Sequence, residues 1–229
     1  GARSAGTGIA EQATRALAAA GLTESEARQR CWLVDRYGLR HDGLGDVFSF
    51  QQSFLRPWSE IEQLDGNGDG QVDLWEVVSH MCPHALVGVT GQPGLFTEDV
   101  IRAQAAGAGR PIVLPLSNPT PQAEAIPSDV IVWTEGRALI GTGSPFDPVS
   151  FGATTYPITQ VDNGHISPDV AMGVTITKAR AMSDSMLTAA TTIGDMPSNQ
   201  DQAAAPFCRR SLRHQWLPSR LPSQLAWPL

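Results

Sequence analysis

The sequence predicts an α/β protein, a doubly wound parallel sheet that lacks its first strand and is followed by an irregular tail. Three observations predict it. The chain opens on a glycine-rich turn that runs directly into an apolar helix, as a phosphate-binding loop does. Short apolar runs then alternate with helical segments, the pattern of repeated strand-helix units. From Ala205 onward both periodicities stop.

The opening turn, Gly1-Ala-Arg-Ser-Ala-Gly-Thr-Gly8, is rich in small residues that let the backbone bend sharply and approach a pyrophosphate. Gly1, Ser4, Gly6 and Gly8 are the candidate phosphate cradle, although Arg3 stands where the middle glycine of such a fingerprint is usual. Ile9 to Ala20 reads as the helix, with Gly21 placed to stop it. Thr23 and Glu26 have the spacing of a capping box for a second short helix. A buried strand then ends at Asp35, whose carboxylate is the candidate ligand of the adenosine ribose, somewhat beyond the roughly 20-residue spacing of the fingerprint. Because a fingerprint loop follows a strand, and this chain begins on the loop, the first strand is expected to be missing.

Glycine and charge dominate Arg36 to Asp46, which predicts a surface loop at the strand's carboxyl end, where Arg36 is available to a 2′-phosphate. That leaves the choice between NAD and NADP open. Residues 65–76 match a calcium loop: oxygen ligands at Asp65, Asn67, Asp69, Gln71 and Asp73, a turn glycine at Gly70, and Glu76 at the twelfth place. The competing reading makes Asp73 and Glu76 caps of a helix from Leu74 to His80. Pro57 leaves an entering helix of only Trp58 to Leu64 and Pro83 closes the exit, which favours the caps. His80, Cys82 and His84 lack further ligands nearby and read as surface side chains.

A second strand-turn-helix covers Ala85 to Ala106, with Thr97 as its helix cap. A third begins with the strand Pro111 to Ser117 and the turn Asn118-Pro-Thr120, which sets a side-chain amide at the strand end. Val130 to Trp133 and Ala138 to Phe146 read as two more strands, Thr155 to Asn163 follows, and Val170 to Met182 is an amphipathic helix. The domain is expected over residues 1–190 and an irregular basic tail over 191–229.

Bulk properties exclude several functions. Of 229 residues 41% are hydrophobic, yet no apolar run approaches the roughly 20 residues that span a bilayer. No signal peptide is visible, and three cysteines without metal spacing suit a reducing cytoplasm. All 23 acids lie at or before Asp201, which argues against nucleic acid as a partner, while Arg209, Arg210, Arg213 and Arg220 follow in the tail.

Five stretches taken together, Gly1 to Glu11, Trp32 to Gly38, Gly88 to Thr97, Pro115 to Thr120 and Thr142 to Phe146, resemble the NAD-binding domain of malic enzyme in order and spacing. The resemblance covers about residues 1–190 and implies a Rossmann-like fold and an oxidoreductase. It implies that malate is oxidised by hydride transfer to NAD or NADP and decarboxylated to pyruvate. On the matching positions, Gly1, Ser4, Gly6 and Gly8 would hold the pyrophosphate, Asp35 the ribose, Asn118 the nicotinamide and substrate, and Asn163 malate. Asp162 stands where the family has an asparagine, and its charge would repel a dicarboxylate. The resemblance also places the lysine base, the tyrosine acid and the carboxylates for Mg²⁺ or Mn²⁺ upstream of the glycine turn. Lys178, the only lysine, is in the wrong place to substitute. The chain alone is therefore expected to be inactive, and its full-length relatives homo-oligomeric.

Overall fold

The computed structural model describes residues 1–161, 167–183 and 186–187. The chain divides into two compact units, Gly1–Thr14 with Ser25–Asp162, and Arg15–Glu24 with Asn163–Leu229.

In the first unit, four parallel strands form the main sheet: β3 (Ala85–Gly88), β4 (Ile112–Pro115), β5 (Leu139–Thr142) and β8 (Thr159–Gln160), in the order β3-β4-β5-β8. Leu86 pairs with Val113, Ile112 with Leu139 and Gly141 with Thr159. Parallel neighbours need a crossover, and helices supply the first two. α5 (Glu98–Gly107) links β3 to β4, α6 (Pro127–Trp133) links β4 to β5, and the antiparallel hairpin β6 (Val149–Phe151) with β7 (Thr154–Tyr156) comes between β5 and β8. Thr97 starts α5 as expected, its side chain accepting from Val100 N–H, with Glu98 and Asp99 in the first turn to suit the positive end.

The core lies between sheet and helices. Val78, Leu86, Phe96, Val100, Ile101, Val113, Ala125, Val130 and Ala138 form one buried cluster. Each large side chain there contributes about 1.5–3 kcal/mol relative to exposure. A second cluster gathers Leu39, Ile61, Leu64, Val72 and Val77, joining α3 (Trp58–Ile61) to α4 (Leu74–Met81). A third sets Ala2 and Ala10 of the N-terminal turn and helix against Leu33 and Phe54.

Three sequence expectations are corrected. Val130 to Trp133 is the second half of α6, not a strand. Three successive β-branched residues imitate a strand, but Pro127 fixes the first helical turn and the Thr134 hydroxyl donates to the Val130 carbonyl at its end. The strand ending at Asp35 does not join the parallel sheet. β1 (Val34–Asp35) pairs antiparallel with β2 (Gly38–Leu39) in a tight hairpin through Arg36 and Tyr37. The loop predicted for 36–46 is buried in its middle: Leu39, Arg40 and His41 lie inside. Gly38, at φ +98°, lets β2 pass so close to Val72 that a Cβ would lie 2.6 Å from its carbonyl oxygen, and Leu39 N–H donates to that oxygen at 2.7 Å. The charge that suggested solvent is neutralised within the fold, where Arg40 meets Asp35 at 3.4 Å and Asp46 at 3.1 Å.

α1 (Ser4–Ala19) runs from the first unit into the second, where the chain turns at Gly21, whose φ is +108°, before α2 (Glu24–Gln29). α7 (Ser167–Thr177) ends in Lys178 with φ +50°. Asp162, Asn163 and the tail 191–229 lie outside the described residues. Among the described residues no helix is long and apolar enough to cross a membrane.

Candidate functional site

The N-terminal turn is held against the end of β3. Ala2 is fully buried, and its carbonyl accepts from Gln51 Nε2 at 2.6 Å and from the Thr7 hydroxyl at 3.3 Å. Gly6 has no room for a side chain, since a Cβ there would lie 1.6 Å from the Gly1 carbonyl oxygen. At Gly1 a Cβ would lie 2.9 Å from the Val89 carbonyl oxygen, one residue beyond β3. Gly1 and Gly6 are thus glycines because two backbones meet. α1 begins at Ser4 and not at Ile9 as expected, so Gly6 and Gly8 both lie inside it; Gly8 differs in having nothing within 4 Å of a Cβ position. Ser4 opens that helix, and both Arg3 and Ser4 are exposed at its N-terminal end. Arg3 has no positive φ, so its backbone does not require glycine.

Asp35 ends β1 with its carboxylate already engaged. One oxygen accepts from Tyr37 N–H at 2.8 Å, and the other faces the buried Arg40 guanidinium. The Arg36 guanidinium lies over the Tyr37 ring at 4.5 Å from its centroid.

Asn118 follows β4, exposed, with its side-chain oxygen accepting from the Ser144 hydroxyl. Its bond to Pro119 is cis. Gly143, after β5, has no space for a Cβ, which would lie 2.2 Å from the Leu116 carbonyl oxygen and 3.1 Å from Asn118 Nδ2. The ends of β3, β4 and β5 therefore converge on one edge, the position where open α/β sheets bind ligands.

Sequence reasoning missed Glu124. It is fully buried between the β3 and β4 turns. Its Oε1 accepts from Thr90 N–H at 2.7 Å, the Thr90 hydroxyl at 2.8 Å and the Ser117 hydroxyl at 2.6 Å, and Oε2 accepts from Ser117 N–H at 3.3 Å. Burial raises the carboxyl pKa, but these bonds outweigh it and leave it below the ordinary glutamate value. The sign follows from that shift: the stabilisation is complete above the unfolded glutamate pKa and is lost as pH falls through the lower folded value. The available sequence signal was Gly88, the last residue of β3, whose missing side chain makes way for this carboxylate.

The loop 65–76 is organised by its own backbone. Asp65 accepts from the N–H groups of Gly68, Asp69 and Gly70, and Asp69 from that of Gln71. Asp73 and Glu76 form the reciprocal capping box of α4, at 2.7 Å each way, and Glu76 also accepts from Gly66 N–H. Among the described residues no three His, Cys, Asp or Glu side chains are placed to hold a metal ion. The calcium reading, with Asn67 and Gln71 as further ligands, gains no support, and capping accounts for the acids that suggested it. Cys82 is likewise the left-handed cap of α4, at φ +42°.

The family described as malic enzyme, NAD binding domain, matches residues 1–208. The NAD-dependent malic enzyme of Acinetobacter baylyi is 48% identical over 189 residues, 82% of this chain and 33% of that protein. Those of Sodalis glossinidius and Pectobacterium carotovorum are 47% and 46% identical over 190 residues, 83% of this chain and 34% of each relative. The chain spans about a third of the length of these relatives. With the family matched across most of the sequence, and with a glycine turn packed on the end of a parallel sheet, the chain belongs to the malic enzyme family through its NAD-binding domain.

Proposed function

We propose that the chain is the cofactor-binding part of an NAD-dependent malic enzyme and that it holds NAD at the edge formed by the N-terminal turn and the ends of β3, β4 and β5. The observation that carries this reading is the close contact of Gly6 with Gly1 and of Gly1 with Val89, which sets the N-terminal end of α1, where Arg3 and Ser4 are exposed, beside the end of β3. In this reading Gly1, Ser4, Gly6 and Gly8 bind the pyrophosphate through the helix N-terminus. Asp35 accepts from the adenosine ribose hydroxyls, held in place by Tyr37 N–H and Arg40. Asn118 presents its amide to the nicotinamide and the substrate, and Asn163 helps to hold malate. Nicotinamide held there would supply the hydride acceptor for malate oxidation in the whole enzyme, with pyruvate and CO2 as the expected products.

The described residues do not fit the divalent ion that decarboxylation in this family calls for. The reading is therefore that this chain supplies cofactor binding and not turnover, with the chemistry and any oligomer contact belonging to the whole enzyme. NAD is the preferred nucleotide, because a 2′-phosphate would meet the Asp35 carboxylate, while Arg36 rests on Tyr37.

Calorimetric titration tests this. NAD is expected to bind at least tenfold more tightly than NADP, a difference of about 1.4 kcal/mol. Asp35→Ala is expected to narrow that ratio. Equal affinity for the two nucleotides, or no binding of either, would overturn the reading.

A further inference from the structure

We infer that Glu124 is a positioning residue for the nicotinamide end of the site, setting the turns after β3 and β4 in register with each other. The inference rests on the reading that this edge binds NAD.

Glu124 is anchored through its own backbone. Its carbonyl accepts from Phe96 N–H at 3.0 Å, and the neighbouring Ala123 carbonyl accepts from Gly94 N–H at 3.4 Å. From this fixed base the side chain reaches under both turns. One carboxylate receives Thr90 on the β3 side and Ser117 on the β4 side. Ser117 immediately precedes Asn118, the side chain assigned to the nicotinamide.

The charge state dictates the direction of every bond in the network. An ionised carboxylate only accepts, so both hydroxyls must donate to it. Each hydroxyl then has lone pairs free for a backbone N–H of the β3 turn. Ser117 Oγ accepts from Gly91 at 2.9 Å, and Thr90 Oγ1 accepts from Gln92 at 3.2 Å. Thus a single buried carboxylate orders Thr90 to Gln92 on one side and Ser117 to Asn118 on the other. Asp35, by contrast, is held by Tyr37 and Arg40 and by no member of this network. The adenosine end and the nicotinamide end therefore have separate supports.

That separation gives the test. Glu124→Gln keeps the volume and one carbonyl acceptor, but its NH2 must face either Ser117 N–H or, flipped, the Thr90 and Ser117 donors, so donors are left opposed and the ionised acceptor shared by the two turns is lost. Binding of NAD and of ADP is measured by calorimetry for the 229-residue chain and for E124Q, well below both melting midpoints. ADP lacks the nicotinamide half. E124Q is expected to weaken NAD by about tenfold and to leave ADP within about twofold. Ser117→Ala removes the hydroxyl relay and leaves the carboxylate in place with its Thr90 donors, and the same selective loss is expected, which covers the case in which E124Q fails to fold. An equal loss of NAD and ADP would mean a general structural role and overturn the inference, as would no loss of either. If the unsubstituted chain binds ADP but gains nothing from the nicotinamide half, the inference fails while an adenosine site remains. If it binds neither, the cofactor reading itself fails.

Discussion

Replacing Gly6 by alanine is expected to abolish NAD binding and to destabilise the domain by about 1–3 kcal/mol. The new methyl would lie 1.6 Å from the Gly1 carbonyl oxygen, 2.7 Å from its carbonyl carbon and 3.4 Å from a methyl of Val89. Two of these obstacles are backbone, so no side-chain rotation relieves the clash. The turn must lift away from β3, which breaks the bonds that fix Ala2 to Gln51 and Thr7. Gly8→Ala is the comparison for stability alone, since Gly8 is itself assigned to the pyrophosphate. It meets open space inside α1, and alanine is favoured over glycine in a helix by about 1 kcal/mol. Urea denaturation of both variants, with an NAD titration of Gly6→Ala, checks the pair. Wild-type affinity in Gly6→Ala would show that the turn does not need its close approach.

Gly88→Ala is expected to be nearly as damaging, by a different route. A methyl there would lie 2.5 Å from the carboxyl carbon of Glu124 and 2.6 Å from its Oε2. The obstacle is a side chain, which could ordinarily swing aside. Here it cannot move without abandoning the donors from Thr90 and Ser117 inside the protein, where an unmet donor costs about 1–3 kcal/mol. A loss of about 2–4 kcal/mol is expected in urea denaturation. The two residues should therefore be strongly coupled. In a Glu124→Ala background, Gly88→Ala is expected to cost much less than it does alone. Additive losses would show that the carboxylate is not what Gly88 accommodates.

The parts of this molecule that were legible in the sequence are those in which local chemistry decides. The Thr97 cap and the apolar strands 85–88, 112–115 and 139–142 each follow from capping or burial rules that act over a few residues, whereas the glycine stretch hid the early start of α1 at Ser4. The turn after β4 at Ser117-Asn118-Pro119 was equally plain. What escaped notice depends on partners distant along the chain. Arg40 reads as a solvated loop arginine until Asp35 and Asp46 are folded against it. Glu124 reads as a loop acid until Thr90 and Ser117, 34 and 7 residues away, are brought to its carboxylate. The loop 65–76 shows the opposite failure. Its ligand-like spacing was clear, but the same carboxylates are equally suited to backbone N–H groups, and the fold uses them there. Val130 to Trp133 shows how a β-branched run can be overridden by a proline at the first position of a helix.

The central claim is that NAD occupies the edge formed by the N-terminal turn and the ends of β3 and β4. An NMR titration of the chain with NAD, read at assigned backbone amides, tests it most directly. The account predicts that Ser4 to Gly6, Asp35, Thr90 to Gln92 and Ser117 to Asn118 shift together along one binding curve, while the amides of 65–76 stay still. Shifts confined to 65–76, or spread over the surface without saturation, would contradict it.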